Sequence, residues 1–132
     1  MSDTVNPEHD KLAASMGINV QPPPMKTGNP SAHDLLVEYF DSKGIMAPPV
    51  DFKLLDFGIK DLALVYLDSL YKSRGQDIKE EILKRKEFGL KKYGTLLTTG
   101  NGRDHYEDGA QELIDFLVYY ICAEVENGQA SE

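Results

Sequence analysis

Two long helical patterns joined by a glycine-rich turn occupy residues 78–126 and restrict the fold of this chain more than any other feature. Apolar residues at helical spacing predict one helix over residues 78–93, which Gly94 ends, and a second helix from Asp104 to about Val125. Glycines at positions 100 and 102 mark the turn, and Asp104 suits an N-cap. The short connection predicts an antiparallel helical hairpin.

Two further helical patterns precede the hairpin. The first begins after Ser31, a suitable N-cap, and ends at Gly44. The second runs from Leu62 to Tyr71 and ends before Gly75. Apolar residues surround most of this second helix, which predicts that it is centrally buried. Together the four patterns predict an all-α bundle of about four helices with a charged hairpin at its C-terminal end.

The remaining segments lack helical periodicity. Residues 1–30 hold five of the seven prolines in the chain and predict an extended or mobile arm. Only residues 50–57 would suit a short extended piece, and residues 127–132 are typical of a frayed tail. The sequence therefore predicts an arm over residues 1–30, a helical domain over residues 31–126 and a tail.

Composition and charge indicate where in the cell the protein is expected and which classes of partner it is expected to bind. At 132 residues, with 41% hydrophobic and 27% charged residues, the chain fits one globular domain. A formal net charge of -8 argues against nucleic-acid binding. No apolar run approaches the length of a membrane span, no secretory signal is recognisable, and the lone Cys122 fits a reducing compartment. We therefore expect a cytoplasmic protein that contacts no membrane.

The two helices of the hairpin carry opposite charge. Residues 79–93 hold six basic and three acidic side chains, a net charge of +3, whereas residues 104–126 hold seven acids and no Lys or Arg. Antiparallel helices with this charge pattern would attract each other. On its own the pattern favours simple pairing of the two helices.

Three carboxylates of the last helix share one face. Asp108, Glu112, Asp115 and Tyr119 follow the spacing i, i+4, i+7 and i+11, so they form one stripe along the helix. Like charges at this spacing repel each other unless cations compensate them. A hard divalent ion such as Mg²⁺ takes carboxylate and phosphate oxygens and would suit the stripe. A solvated acidic face is the alternative interpretation.

Cations and amide groups gather at the turn end of the hairpin, beside the first turn of the acidic helix. We therefore predict that phosphate oxygens bind there, to Lys92, Arg85, Arg103 and Asn101. Carboxylates that hold a metal beside cations that hold phosphates are typical of phosphoryl transfer. A salt-bridged turn is the structural alternative.

Three stretches of the hairpin resemble the small MazG-like nucleotide pyrophosphohydrolases, including phage-encoded ones. These stretches are Arg85 to Thr95, which ends in Lys-Lys-Tyr-Gly-Thr, then Asn101-Gly102-Arg103-Asp104, and then Asp108 to Tyr119, which contains Gln-Glu-Leu-Ile-Asp. The resemblance covers roughly the last third of the chain. It implies an all-α enzyme that uses Mg²⁺, for which Mn²⁺ is expected to substitute. Such an enzyme hydrolyses a nucleoside triphosphate to a monophosphate and pyrophosphate.

The resemblance also implies roles for individual residues. Glu112-x-x-Asp115 is similar to the second acidic pair of the family. The usual Glu-x-x-Glu of the preceding helix is absent, because Lys84 follows three residues after Glu81, and we assign Glu81 to this position. Glu112, Asp115 and Glu81 are then the predicted catalytic residues, and these three together with Asp108 are the predicted Mg²⁺ ligands.

The resemblance further favours a purine deoxynucleotide such as dGTP or dATP and, for a phage-encoded protein, the host cytoplasm. A homo-oligomer, either a dimer or a tetramer, is expected because the hairpin needs a partner to enclose a nucleotide. Two other functions stay open. A non-catalytic protein that sequesters a nucleotide would bind without turnover. A charged-hairpin interaction module would dock on another protein and would show no effect of nucleotide.

Overall fold

The computed structural model describes residues 6–49 and 58–128 of the chain. These residues form five α-helices and no strand, which confirms the predicted all-α class. The helices are α1 (Pro7–Ser15), α2 (Ala32–Lys43), α3 (Ile59–Ser73), α4 (Ile78–Tyr93) and α5 (His105–Glu126). The extended piece predicted for residues 50–57 lies outside the described residues, as does the tail beyond residue 128.

Local capping groups set the ends of the predicted helices. The Ser31 hydroxyl accepts a hydrogen bond of 3.0 Å from the Asp34 backbone N–H at the start of α2. The Asp104 carboxylate does the same for the Glu107 N–H, at 3.1 Å, where α5 begins. Gly94 ends α4 in the left-handed conformation, with φ of 76°. These caps satisfy backbone groups that the helices leave free, so the boundaries follow from local sequence.

A helix that the apolar pattern does not predict lies in the proline-rich segment. The Asn6 side chain accepts hydrogen bonds from two backbone N–H groups of α1, and Pro7 occupies its first position. After α1, the Ile18 N–H donates to the Ala13 carbonyl at 3.0 Å, and Gly17 has φ of 75°. The Ala13 and Ile18 side chains are buried. Residues 6–18 are therefore an ordered, packed element.

The chain divides into two compact units. One unit contains α2 and α5, which pack on each other, and Val118 and Ile121 of α5 are buried. The other contains α1, α3 and α4, with α4 in contact with both of its neighbours. The unit of α2 and α5 has three basic and eleven acidic residues, a net charge of -8, whereas the other has eleven of each. The formal net charge of the chain therefore comes entirely from the unit of α2 and α5, and the other unit is neutral.

The predicted central burial of α3 is wrong. No residue of α3 is buried, and the side chains of Leu62 and Val65 are 71% and 66% exposed. The reason is that the α3 contacts are with α4, which covers only one side of a helix that is apolar nearly all round. None of the helices in the described ranges is both long enough and apolar enough to cross a lipid bilayer.

Candidate functional site

Arg103 and Asp108 form the best-defined ionic contact at the predicted site. The Arg103 Nε and Nη2 groups donate hydrogen bonds of 2.8 and 2.7 Å to the two carboxylate oxygens of Asp108. This hydrogen bonding lowers the pKa of the Asp108 carboxyl and raises the pKa of the Arg103 guanidinium. A predicted phosphate ligand and a predicted metal ligand therefore neutralise each other, as the salt-bridged turn alternative expects.

The capped start of α5 brings this pair together. Gly102, with φ of 88°, turns the chain before Arg103, and the Asp104 cap then starts the helix. Asp108 lies in the first helical turn, five residues after Arg103. A carboxylate in this place also interacts favourably with the positive end of the helix dipole. The pair consequently depends on local geometry within residues 102–108.

The other two acids of the stripe differ in their surroundings. Glu112 is exposed, whereas Asp115 is half-buried on α5. The Asp115 Oδ2 atom is buried and has no hydrogen-bond partner. A buried carboxylate oxygen without a partner carries a desolvation cost that a hydrogen-bond donor or a cation would offset. The Asp115 carboxylate would therefore be stabilised by a hydrogen-bond donor or a cation at Oδ2.

The carboxylates of α5 could supply one or two protein ligands to a Mg²⁺ ion, but not a complete set. Within residues 6–49 and 58–128, no group of three or more His, Cys, Asp or Glu side chains is arranged to hold a metal ion. Mg²⁺ in nucleotide sites usually takes one or two carboxylates, and substrate phosphates and waters complete its coordination. Glu112 and Asp115, one helical turn apart, are such a pair.

Glu81 and Arg85 form a second ion pair, in the unit of α1, α3 and α4. The Arg85 Nε atom lies 3.5 Å from Glu81 Oε2, one helical turn away on α4. Glu81 is 8% exposed and is the buried charged residue of the described chain, whereas the Arg85 side chain is 63% exposed. The predicted metal ligand of α4 is therefore buried beside a predicted phosphate ligand that remains in contact with water.

The remaining predicted phosphate ligands, Lys92 and Asn101, belong to the same unit as Glu81. The Lys92 ammonium lies 5.7 Å from the centre of the Phe88 ring and 5.1 Å from that of the Tyr93 ring, within the range of cation–π attraction. Asn101 is exposed in the loop after α4. Lys92 thus carries its positive charge beside two aromatic faces at the C-terminal end of α4.

Lys84 is a residue at this helix for which the sequence predicts no role. A Cβ atom at Gly17 would lie 3.3 Å from the Lys84 ammonium, which places this cation beside the C-terminal end of α1. Positive charge near a helix C-terminus is favourable. The signals for α1 itself are present in the sequence as Asn6 at the cap and Pro7 at the first position.

Comparison of the chain with protein-family models, with curated proteins and with solved structures returned no match.

Proposed function

We propose that this protein is a cytoplasmic, Mg²⁺-dependent hydrolase that converts a nucleoside or deoxynucleoside triphosphate to a monophosphate and pyrophosphate. In this reaction water adds to the α-phosphorus, and the bond between the α- and β-phosphates breaks. The proposal is supported by the resemblance of residues 85–119 to MazG-like enzymes and by the acidic stripe of α5. A purine deoxynucleotide such as dGTP or dATP is the proposed substrate.

The buried, unpartnered Oδ2 atom of Asp115 is the observation that carries the proposal. This oxygen lies on the same helical stripe as Glu112, in the unit that contains the whole net charge of -8. A cation bound at Asp115 would offset both the desolvation of its carboxylate and the repulsion within the stripe. The folded helix therefore contains a carboxylate oxygen that a cation would stabilise, and this supports the proposed Mg²⁺ site.

The roles of the side chains follow from their charge. Glu112 and Asp115 would hold Mg²⁺, which when bound polarises phosphate oxygens and lowers the pKa of a water molecule. Asp108 and Glu81 remain proposed ligands, each of which first has to separate from its arginine. Lys92, Asn101, Arg103 and Arg85 are proposed to bind phosphate oxygens, because guanidinium, ammonium and amide groups donate hydrogen bonds to them.

Nucleotide binding without turnover is the second candidate function. The two ion pairs, Arg103 with Asp108 and Arg85 with Glu81, favour this function. In each pair a proposed phosphate ligand, the arginine, is bound to a proposed metal ligand, the carboxylate. A protein that keeps these pairs closed would hold a nucleotide through its remaining cations. The two candidates differ in whether product accumulates.

The deciding experiment is incubation of the purified protein with each common ribo- and deoxynucleoside triphosphate, with Mg²⁺ and with a chelator. Separation of the mono-, di- and pyrophosphate products identifies the bond that breaks. Glu112→Gln is the test variant, and Glu107→Gln is the control, because Glu107 is exposed on the same helix but lies off the stripe. We expect Glu112→Gln to reduce the rate about 100-fold or more and Glu107→Gln to leave it unchanged.

Each outcome selects one function. Mg²⁺-dependent formation of monophosphate and pyrophosphate, lost in Glu112→Gln alone, supports the hydrolase. Intact nucleotides that nevertheless bind in equilibrium dialysis support the sequestering protein. Intact nucleotides without binding would reject both and leave the interaction module.

A further inference from the structure

The chain contains five asparagines, and the residue that follows each one determines how stable its side-chain amide is. The amide is lost when the backbone nitrogen of the following residue attacks the side-chain carbonyl carbon. Proline has no N–H for this attack, which protects Asn6 and Asn29. The branched side chain of Val20 hinders the attack at Asn19. Glycine, which has no side chain, follows the remaining two asparagines: Asn101 and Asn127.

The pair of Asn127 and Gly128 is held by the C-terminal end of α5. The Asn127 N–H donates a hydrogen bond of 3.0 Å to the Ala123 carbonyl. The Gly128 N–H donates a hydrogen bond of 3.0 Å to the Val125 carbonyl. The nitrogen that would attack the Asn127 amide is therefore already engaged. Rotation of the backbone to bring this nitrogen to the side chain would break the end of the helix.

The pair of Asn101 and Gly102 lies in the exposed turn that precedes α5. All residues from 93 to 107 are exposed. Gly100 and Gly102 have φ of 71° and 88°, and a Cβ atom added at either position would meet nothing within 4 Å. Glycines in open space let the backbone rotate with little steric resistance. The Gly102 nitrogen can therefore reach the side-chain carbonyl carbon of Asn101 without the loss of any helix.

A hydrogen bond of the Asn101 side chain does not prevent this attack. Exposed side chains change rotamer and exchange their hydrogen-bond partners within nanoseconds, far faster than an amide is lost. The attack instead depends on the approach of the following backbone nitrogen, which requires the main chain to rotate. Hydrogen bonds of the main chain therefore distinguish the two Asn-Gly pairs, and they hold the pair at the end of α5.

We propose that Asn101 is a site of spontaneous deamidation and that the end of α5 protects Asn127 from the same reaction. The Gly102 nitrogen gives up its proton to solvent and forms a bond to the Cγ atom of Asn101. The bond from Cγ to Nδ2 breaks, and the amide group takes up a proton and leaves as ammonia. A water molecule then opens the succinimide ring at either carbonyl, which leaves aspartate or isoaspartate at position 101. This inference does not depend on nucleotide hydrolysis, and its test contains no nucleotide.

Deamidation would change the charge of the turn beside Arg103. It replaces an amide that donates hydrogen bonds with a carboxylate that only accepts them, two residues before Arg103. The isoaspartate product also adds a carbon atom to the main chain between Gly100 and Gly102. A phosphate group bound at this turn, as proposed above, would meet an added negative charge and would bind more weakly.

Peptide mapping of the full chain tests the proposal after incubation in warm, mildly alkaline buffer. Trypsin cleaves after Lys92 and Arg103, so residues 93–103 and residues 104–132 form separate peptides that each contain a single asparagine. Mass spectrometry measures the conversion of amide to acid in each peptide, and an isoaspartyl methyltransferase identifies the isoaspartate. Asn101→Gln removes the reactive pair, because a longer side chain has to close a larger ring. Asn127→Gln is the matched control, since it leaves Asn101 and Gly102 in place.

We expect the acid to form at Asn101 at least about tenfold faster than at Asn127, because a hydrogen bond at Gly128 must open before Asn127 reacts. In urea, which unfolds α5, the two rates should approach each other. The rate at Asn101 should rise with pH, since the attacking nitrogen has to lose its proton. Asn127→Gln should leave the rate at Asn101 unchanged, and circular dichroism must show that the incubated chains keep their helix content.

Two results would overturn the proposal. The first is a folded chain that keeps its Asn101 amide under conditions in which the chain in urea loses it, because the turn would then hold the backbone of residues 101 and 102. The second is a folded chain in which Asn127 reacts as fast as Asn101 or faster, because the end of α5 would then give no protection.

Discussion

Arg103 holds Asp108 in a two-point hydrogen bond across the first turn of α5, with donor–acceptor distances of 2.8 and 2.7 Å. The pair joins the loop after α4 to the helix that carries the acidic stripe. It also determines which charges remain available there, because a guanidinium engaged with a carboxylate is not free for phosphate. These two bonds of Arg103 go to Asp108, and Glu112 and Asp115 are the other two acids of the stripe.

Arg103→Gln should raise the pKa of the Asp108 carboxyl toward its ordinary value. The Arg103 hydrogen bond lowers this pKa in the folded protein, so the pair stabilises the fold at a pH above the ordinary aspartate pKa. The stabilisation is lost as the pH falls through the lowered pKa. Titration followed by carboxyl-carbon NMR measures the shift. Arg74→Gln, in the other unit, should leave Asp108 unchanged, and an equal change in both variants would contradict this assignment.

Asp115→Asn should stabilise the protein without Mg²⁺ and abolish its response to Mg²⁺. The substitution removes a negative charge that the fold buries without a partner at Oδ2. An ion present at 100 times its Kd adds about 2.7 kcal/mol to wild-type stability, which raises the Tm by roughly 10 °C. Calorimetry with Mg²⁺ and with a chelator measures both effects. Asp34→Asn, an exposed position on α2, should keep the wild-type response.

If Asp115→Asn keeps the wild-type increase in stability with Mg²⁺, the metal does not bind at Asp115. This readout is independent of turnover, so it separates a failure of metal binding from a failure of catalysis.

Glu81→Met should separate stability from activity. Removal of one partner of a buried ion pair is costly when the other charge is left buried, but the Arg85 side chain is 63% exposed and remains hydrated without Glu81. We expect the free energy of unfolding in urea to stay within about 1 kcal/mol of wild type, while hydrolysis falls about 100-fold. Glu87→Met, at an exposed position of α4, should change neither property. Full activity in Glu81→Met would remove Glu81 from the proposed site.

Gly17→Ala should destabilise the packing of α1. Gly17 has φ of 75°, and an added Cβ would lie 3.3 Å from the Lys84 ammonium. The left-handed conformation alone costs an alanine about 1 kcal/mol, which urea unfolding can measure. Gly28→Ala is the matched control, because its Cβ would meet nothing within 4 Å. Equal stability of the two variants would show that the end of α1 is not held in this conformation.

Helix boundaries were the most predictable part of this fold. The start of α4 at Ile78 and its end at Tyr93 coincide with the predicted limits, because Gly94 and the spacing of the apolar residues are local signals. The helix α1 was not predicted, since its nine residues contain too few apolar side chains to show a period. Ala13 of α1 and the following Ile18 are buried, and the helix packs against α4, which is distant in the chain.

The shared stripe of Asp108, Glu112 and Asp115 was predictable from the sequence, whereas the partners of these residues were not. The positions of Asp108, Glu112 and Asp115 on one stripe follow from helical spacing alone. That Asp115 buries an oxygen while Glu112 is exposed depends on what packs around α5. The burial of Glu81 likewise depends on the packing of its unit and has no signal in the sequence near residue 81.

By itself, the sequence determined four helices, the caps at Ser31, Gly44, Gly94 and Asp104, and the segregation of acids onto α5 and lysines onto α4. These features depend on hydrogen bonds and spacing within a few residues, so they need no tertiary contact. Only the tertiary structure decided which helices pack together, that α3 stays exposed, and which carboxylates are buried. Burial is set by neighbours distant in the chain, and the cost of an unpartnered charge arises only where those neighbours exclude water.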